Sequence, residues 1–174
     1  MKRLSLSHLI NSALAACLAA ALSACGTADT SQKAVLERID SLGISLRCVN
    51  ASAGQVTRDY LLPGQKKTGF KIEYIRETWP DTISRTQAQK LAHIQDLSQG
   101  YEKLLAISKD LQEQSLRQLE QLKKLNDEIN AGRLNEENTL QYLTFESKSA
   151  DTLNKVLDTL VKRSVELSCK SQSL

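Results

Sequence analysis

The chain has 174 residues, with 23 lysines and arginines against 20 acids, and is 41% hydrophobic and 4% aromatic. That is enough apolar chain for one domain with a core of its own. The net charge of +3 comes from well-mixed signs with no basic stripe, which excludes the electrostatic footprint of a nucleic-acid binder.

The first element is a targeting segment. Lys2 and Arg3 make a basic start, an alanine-rich apolar run is cleanest from Ala13 to Leu22, and small residues lead to Cys25. This is the layout of a secretory signal, and it falls short of the ~20 apolar residues that a membrane span needs. The exit, Leu22-Ser23-Ala24-Cys25, resembles the lipobox of bacterial lipoproteins. The resemblance covers only about the first 30 residues. It implies cleavage of residues 1–24, lipid on the Cys25 thiol and acylation, with palmitate-type chains, of the new amino end. One short acyl chain binds a membrane only marginally and several hold firmly, so Cys25 is the expected membrane anchor. Gly26 follows the cysteine where aspartate would favour retention in the inner membrane, so the expected address is the outer membrane, facing the periplasm.

Cleavage leaves 150 of the 174 residues, and the loss of Lys2 and Arg3 takes the charge from +3 to +1. Cys17 leaves with the signal and Cys25 carries lipid, so Cys48 and Cys169 remain. An even pair in an exported domain reads as a disulfide. Closing so long a loop would stabilise by about 4–5 kcal/mol from chain entropy. Two free thiols, or bonds to other chains, are the alternatives.

Residues 25–32 read as a short polar tether. Leu36, Ile39, Leu42, Leu46 and Val49 then recur at three- and four-residue steps, which predicts a short helix over 33–49, weakened at Gly43. Residues 50–80 look different. A Pro63-Gly64 turn signal divides two short runs, and Phe70, Ile72 and Tyr74 alternate with Lys71, Glu73 and Ile75. The pattern predicts a small β-hairpin, or an irregular loop, over 50–80. Trp79 precedes Pro80 and is biased away from helix.

Asp81 and Ser84 are both candidate N-caps, and Ser84 with Gln87 has capping-box spacing. A long helix is predicted over 81–131, with Leu91, Ile94, Leu97, Tyr101, Leu104, Leu111, Leu122, Leu125 and Ile129 on one face and Gly100 as its weakest point. Gly132 suits a helix end and Asn135 a helix start, so a second long helix follows over 135–170. The short connection makes the two an antiparallel hairpin, with Cys169 level with roughly residue 98. A Cys48 to Cys169 bond would clamp the short helix beside the open end of that hairpin. Ser98, Ser108, Gln112, Ser115 and Asn126 share an a/d register with some of the leucines, where a coiled coil wants apolar residues. The face is therefore either a broad bundle face or a groove completed by a partner or a second copy.

No catalytic set emerges. His93 is the one histidine of the mature chain and has no cysteine or histidine at ligand spacing, so no metal site is expected. Trp79-Pro80-Asp81 matches a fragment of the tyrosine-phosphatase acid loop, but those enzymes also need C-x5-R, and neither Cys48 nor Cys169 supplies it. The GQKKTG stretch at 64–69 lacks the lysine position of a phosphate loop. The expectation is a mainly α protein without enzyme activity or cofactor: a three-helix bundle over 33–174 with the small β insert. Anchored through Cys25, it would act as a helical adaptor or assembly factor for an envelope or secretion complex, with another envelope protein as partner. The alternative is an immunity, exclusion or inhibitor lipoprotein that binds a toxin, lysozyme or phage component. Binding is expected at the 50–80 segment or the 130–138 tip, because function concentrates on loops.

Overall fold

The computed structural model describes residues 32–133 and 136–172. The signal segment, Cys25, residues 26–31 and the Asn135 cap lie outside them. The described residues are mainly helical and contain no strand. They form α1 (Gln32–Val56), a π-helical turn (Thr57–Leu61), α2 (Leu62–Thr78), α3 (Arg85–Asn130) and α4 (Glu136–Gln172).

The predicted first helix, 33–49, is too short, and the predicted β-hairpin or loop at 50–80 is not formed. Helix runs on through Val56, the π turn and α2 as far as Thr78. The reason lies in the spacing of the buried residues. Val35, Ile39, Leu42, Leu46, Val49, Ala53 and Val56 are buried at alternating four- and three-residue steps, the heptad spacing of helices that pack along their length. The next buried residue is Leu61, five positions on, and Gly64 and Thr68 then resume the three-four rhythm. The π turn inserts one residue and so brings the seam back to the same face. The Leu62 N–H bonds to the Thr57 carbonyl, five residues back, across this turn. Pro63 follows at once. A proline ring clashes with the carbonyl four residues before it in a regular helix, and the widened turn accommodates it there.

Gly64 is a contact point, not the corner of a hairpin. A Cβ on it would overlap the ring of Tyr101, so only glycine lets that ring lie on the backbone of α2. The Tyr101 hydroxyl donates to Ser171 Oγ at 2.9 Å, and Lys67 Nζ donates to the Ser171 carbonyl at 2.6 Å. Phe70 and Tyr74, whose alternation with charged residues suggested a strand, are both exposed on α2.

Trp79 ends α2 in an extended conformation, φ −88° and ψ 145°, as its place before proline requires. Of the two candidate caps, Ser84 starts α3. Its N–H donates to Gln87 Oε1 at 2.8 Å, and the Gln87 N–H donates to Ser84 Oγ at 3.3 Å. This reciprocal box stabilises the helix start by about 1 kcal/mol and moves it from the expected 81 to Arg85. At the other end Gly132 has φ 67°. The Arg133 N–H reaches the Glu128 carbonyl and the Gly132 N–H the Ile129 carbonyl, both at 3.0 Å. That is a Schellman termination, and it needs the left-handed residue that glycine supplies.

Along α3 the buried positions are Ile94, Leu97, Tyr101, Leu104, Ser108, Leu111, Ser115, Leu122, Leu125 and Ile129. Along α4 they include Leu143, Glu146, Ala150, Leu153, Leu157, Leu160, Ser164 and Ser171. The seam is narrower than a broad bundle face. Serines enter it because small polar groups there find partners: Ser108 Oγ donates to the Ala53 carbonyl at 3.1 Å and lies 2.7 Å from Thr57 Oγ1. Each fully buried leucine or isoleucine contributes about 1.5–3 kcal/mol.

The chain divides into two compact units. The first takes residues 32–51 with the Glu113–Asn154 stretch, and within it Asn154 Nδ2 donates to Ser45 Oγ at 3.2 Å. The second takes Ser52–Gln112 with residues from Lys155 onward, and it holds the Gly64, Tyr101 and Ser171 contacts.

Candidate functional site

Within the second unit α3 and α4 lie side by side, with Leu167 against Gly100 and Ser171 bonded to Tyr101. The predicted register, with Cys169 near residue 98, agrees with these contacts to within a turn. Between the two helices lies an open groove of about 610 Å³. Gly100, Lys103, Leu104, Ala106 and Ile107 line it from α3, and Arg163, Glu166, Leu167 and Lys170 from α4. Apart from Ala106 at the edge, both sets follow the spacing i, i+3, i+4, i+7, so each helix presents one continuous face to the groove. Tyr101, whose ring lies on Gly64, and Ser108, which bonds the Ala53 carbonyl, directly follow Gly100 and Ile107 and so point about 100° away around α3. The groove therefore lies beside the face that the first helical run covers, with the buried Leu104 at the boundary.

Its floor is apolar, made by Leu104, Ile107 and Leu167, and its rim carries Lys103, Arg163 and Lys170 with Glu166 among them. Gly100 faces Leu167 of α4. A Cβ there would stand 3.1 Å from Leu167 Cδ1, so any larger residue would require the Leu167 side chain to shift by a few tenths of an ångström. The residue that looked like the weakest point of the long helix is in contact with α4.

Neither expected binding region coincides with this groove. The 50–80 segment does expose Phe70 (60%) and Tyr74 (65%), one turn apart on α2, with Lys66 Nζ 5.6 Å from the Phe70 ring centroid. The described part of the 130–138 tip carries an exposed ion pair between Arg133 and Glu128 at 3.6 Å, a contact worth little in water.

The remaining sequence candidates are scattered. Cys25 lies outside the described residues. Cys48 is half-buried in α1, Cys169 is exposed in α4, and both thiols are free. The expected clamp assumed that Cys48 ends the first helix. It lies mid-helix, because the heptad seam continues past it through Val49, Ala53 and Val56. His93 is exposed on α3 and Trp79 half-buried beyond α2. Among the described residues no group of three or more His, Cys, Asp or Glu is placed to hold a metal ion, and no helix is long and apolar enough to cross a membrane.

One titratable group was missed by sequence reasoning. Glu146 sits in the first unit at a seam position and is only 3% exposed. Its carboxyl is pushed above the ordinary glutamate range by burial, against the opposing effect of a hydrogen bond from Tyr142. Its Oε2 and the Oε1 of Gln118 are buried without a hydrogen-bond partner. The Gln118 amide itself donates to Ser149, one turn from Glu146. The signal was present in the heptad count, which puts Glu146 between Leu143 and Ala150 on the buried face. Compared with family models, curated proteins and solved structures, the chain matches none.

Proposed function

We propose that this protein is a lipoprotein anchored through Cys25 to the outer membrane, where it acts as a non-enzymatic helical adaptor for another envelope protein in the periplasm. The anchor rests on the Leu22-Ser23-Ala24-Cys25 lipobox behind a basic and apolar leader. The adaptor role rests on a single observation, the open apolar groove between α3 and α4 with charges set along its rim. Such a surface suits recognition and offers no group poised for chemistry.

The anchor is tested by feeding cells a labelled fatty acid. The wild-type chain is expected to take up label and fractionate with membranes, while Cys25→Ser loses both. Equal labelling of the Cys25→Ser chain would overturn the anchor. A second reading, an inhibitor or immunity lipoprotein, draws on the exposed Phe70 and Tyr74 of α2, since aromatic side chains anchor tight interfaces. It requires an incoming toxin, lysozyme or phage protein bound at that face.

A further inference from the structure

We infer that the groove between α3 and α4 of the second unit is the seat of an acidic amphipathic helix contributed by the partner protein; this rests on the adaptor reading and names the chemistry of its partner. Three features of the groove point the same way. Its two walls repeat at i, i+3, i+4, i+7 over the same length, 100 to 107 on α3 and 163 to 170 on α4. A helix laid between two helices meets this spacing with its own anchors at i, i+3, i+4 and i+7. The floor of Leu104, Ile107 and Leu167 takes those apolar anchors, and Ala106 adds little bulk against an incoming backbone.

The rim fixes the charge. Lys103 and Arg163 outnumber Glu166, so the side chains flanking the partner's apolar stripe are mainly Asp and Glu, with a basic residue opposite Glu166. The same rim argues against a second copy seated symmetrically on the groove. In a two-fold contact the same patch meets itself, and the cations would face one another. A lipid is also the poorer fit. Glu166 stands among the cations and spaces them, a pattern that reads a row of charges better than one anionic headgroup.

Photo-crosslinking in the native cell tests this. A photoreactive benzoylphenylalanine replaces Ala106, exposed beside the groove, and separately Tyr74 on α2. The expected result is an adduct from position 106 to a protein segment of net negative charge with apolar residues at helical spacing. Combining the probe with Lys103→Glu and Arg163→Glu is expected to cut that adduct at least about tenfold, with helicity by circular dichroism unchanged. Should this pair disturb the fold, Lys103→Ala with Arg163→Ala replaces it, and an adduct reduced severalfold is expected. An adduct to phospholipid only, to a second copy, or to a segment without acidic residues overturns the inference, as does an adduct indifferent to the rim substitutions. A protein adduct from position 74 with none from 106 overturns the groove but leaves the adaptor reading standing. No protein adduct from either position removes both.

Discussion

At Glu146 a carboxyl occupies a seam position that Leu143, Leu153 and Leu157 fill elsewhere on the same helix. Burial raises its proton affinity in the folded chain, so between the ordinary glutamate value near ~4.3 and the raised value the folded state binds more protons than the unfolded. Stability therefore falls as pH rises through that window. Below it both states hold the proton, and the contribution is fully present. Glu146→Gln keeps the shape and cannot ionise. It is expected to be more stable than wild type at pH 7 by about 1 kcal/mol, a rise in Tm of about 2–4 °C, with the difference vanishing below pH ~4. Melting curves from pH 4 to pH 8 decide it, and a variant that tracks the wild-type slope would show that Glu146 stays ionised in the fold. Gly64 offers a test of opposite sign. Helix propensity alone predicts that Gly64→Ala stabilises by about 1 kcal/mol, whereas the overlap with the Tyr101 ring predicts a loss of about 1–3 kcal/mol. The loss is expected, and it should shrink in a Tyr101→Ala background, because the two residues share one contact. Additive losses in urea titrations would break that link.

Between residues 50 and 80 local signals and long-range packing disagree, and packing wins. The pairing of Ser84 with Gln87, the stop at Gly132 and the three-four spacing of α3 and α4 were legible in the sequence because each depends on neighbours within one turn. Residues 50–78 were not. Pro63-Gly64 imitates a turn, Phe70 and Tyr74 imitate a strand, and the seam changes phase at the π turn, so no single helical period spans the segment. The groove was illegible for another reason: its walls are some sixty residues apart in sequence and meet only through the hairpin register. The role of the π turn can be tested directly. Deleting Asp59, which is exposed within it, joins Val56 to Leu61 at a regular four-residue step. Alone, the deletion places Pro63 inside a regular helix, at a cost of about 3 kcal/mol. Combined with Pro63→Ala, it is expected to recover most of that loss, as measured by urea denaturation. If the double variant is no more stable than the deletion alone, the turn does more than house the proline.

For the molecule as a whole, the question is what holds the first helical run to the hairpin. A disulfide from Cys48 to Cys169 would contribute about 4–5 kcal/mol through loop closure, and its loss would lower Tm by about 10 °C or more in a chain of this size. In the structure both thiols are free, and attachment comes from packing within each unit. In the first, Val35, Ile39, Leu42 and Leu46 are buried and Asn154 bonds Ser45. In the second, Ser108 bonds the Ala53 carbonyl and Tyr101 lies on Gly64. The soluble mature chain lacking Cys25 is therefore expected to melt within about 1 °C of the same Tm with and without dithiothreitol. Unfolded without reductant, it should titrate as two thiols, with Cys169 reacting before Cys48 in the folded state, because one is exposed and the other half-buried. A fall of several degrees on reduction, together with the loss of both thiols from the unreduced titration, would restore the clamp and make the packing of the first helical run secondary to it.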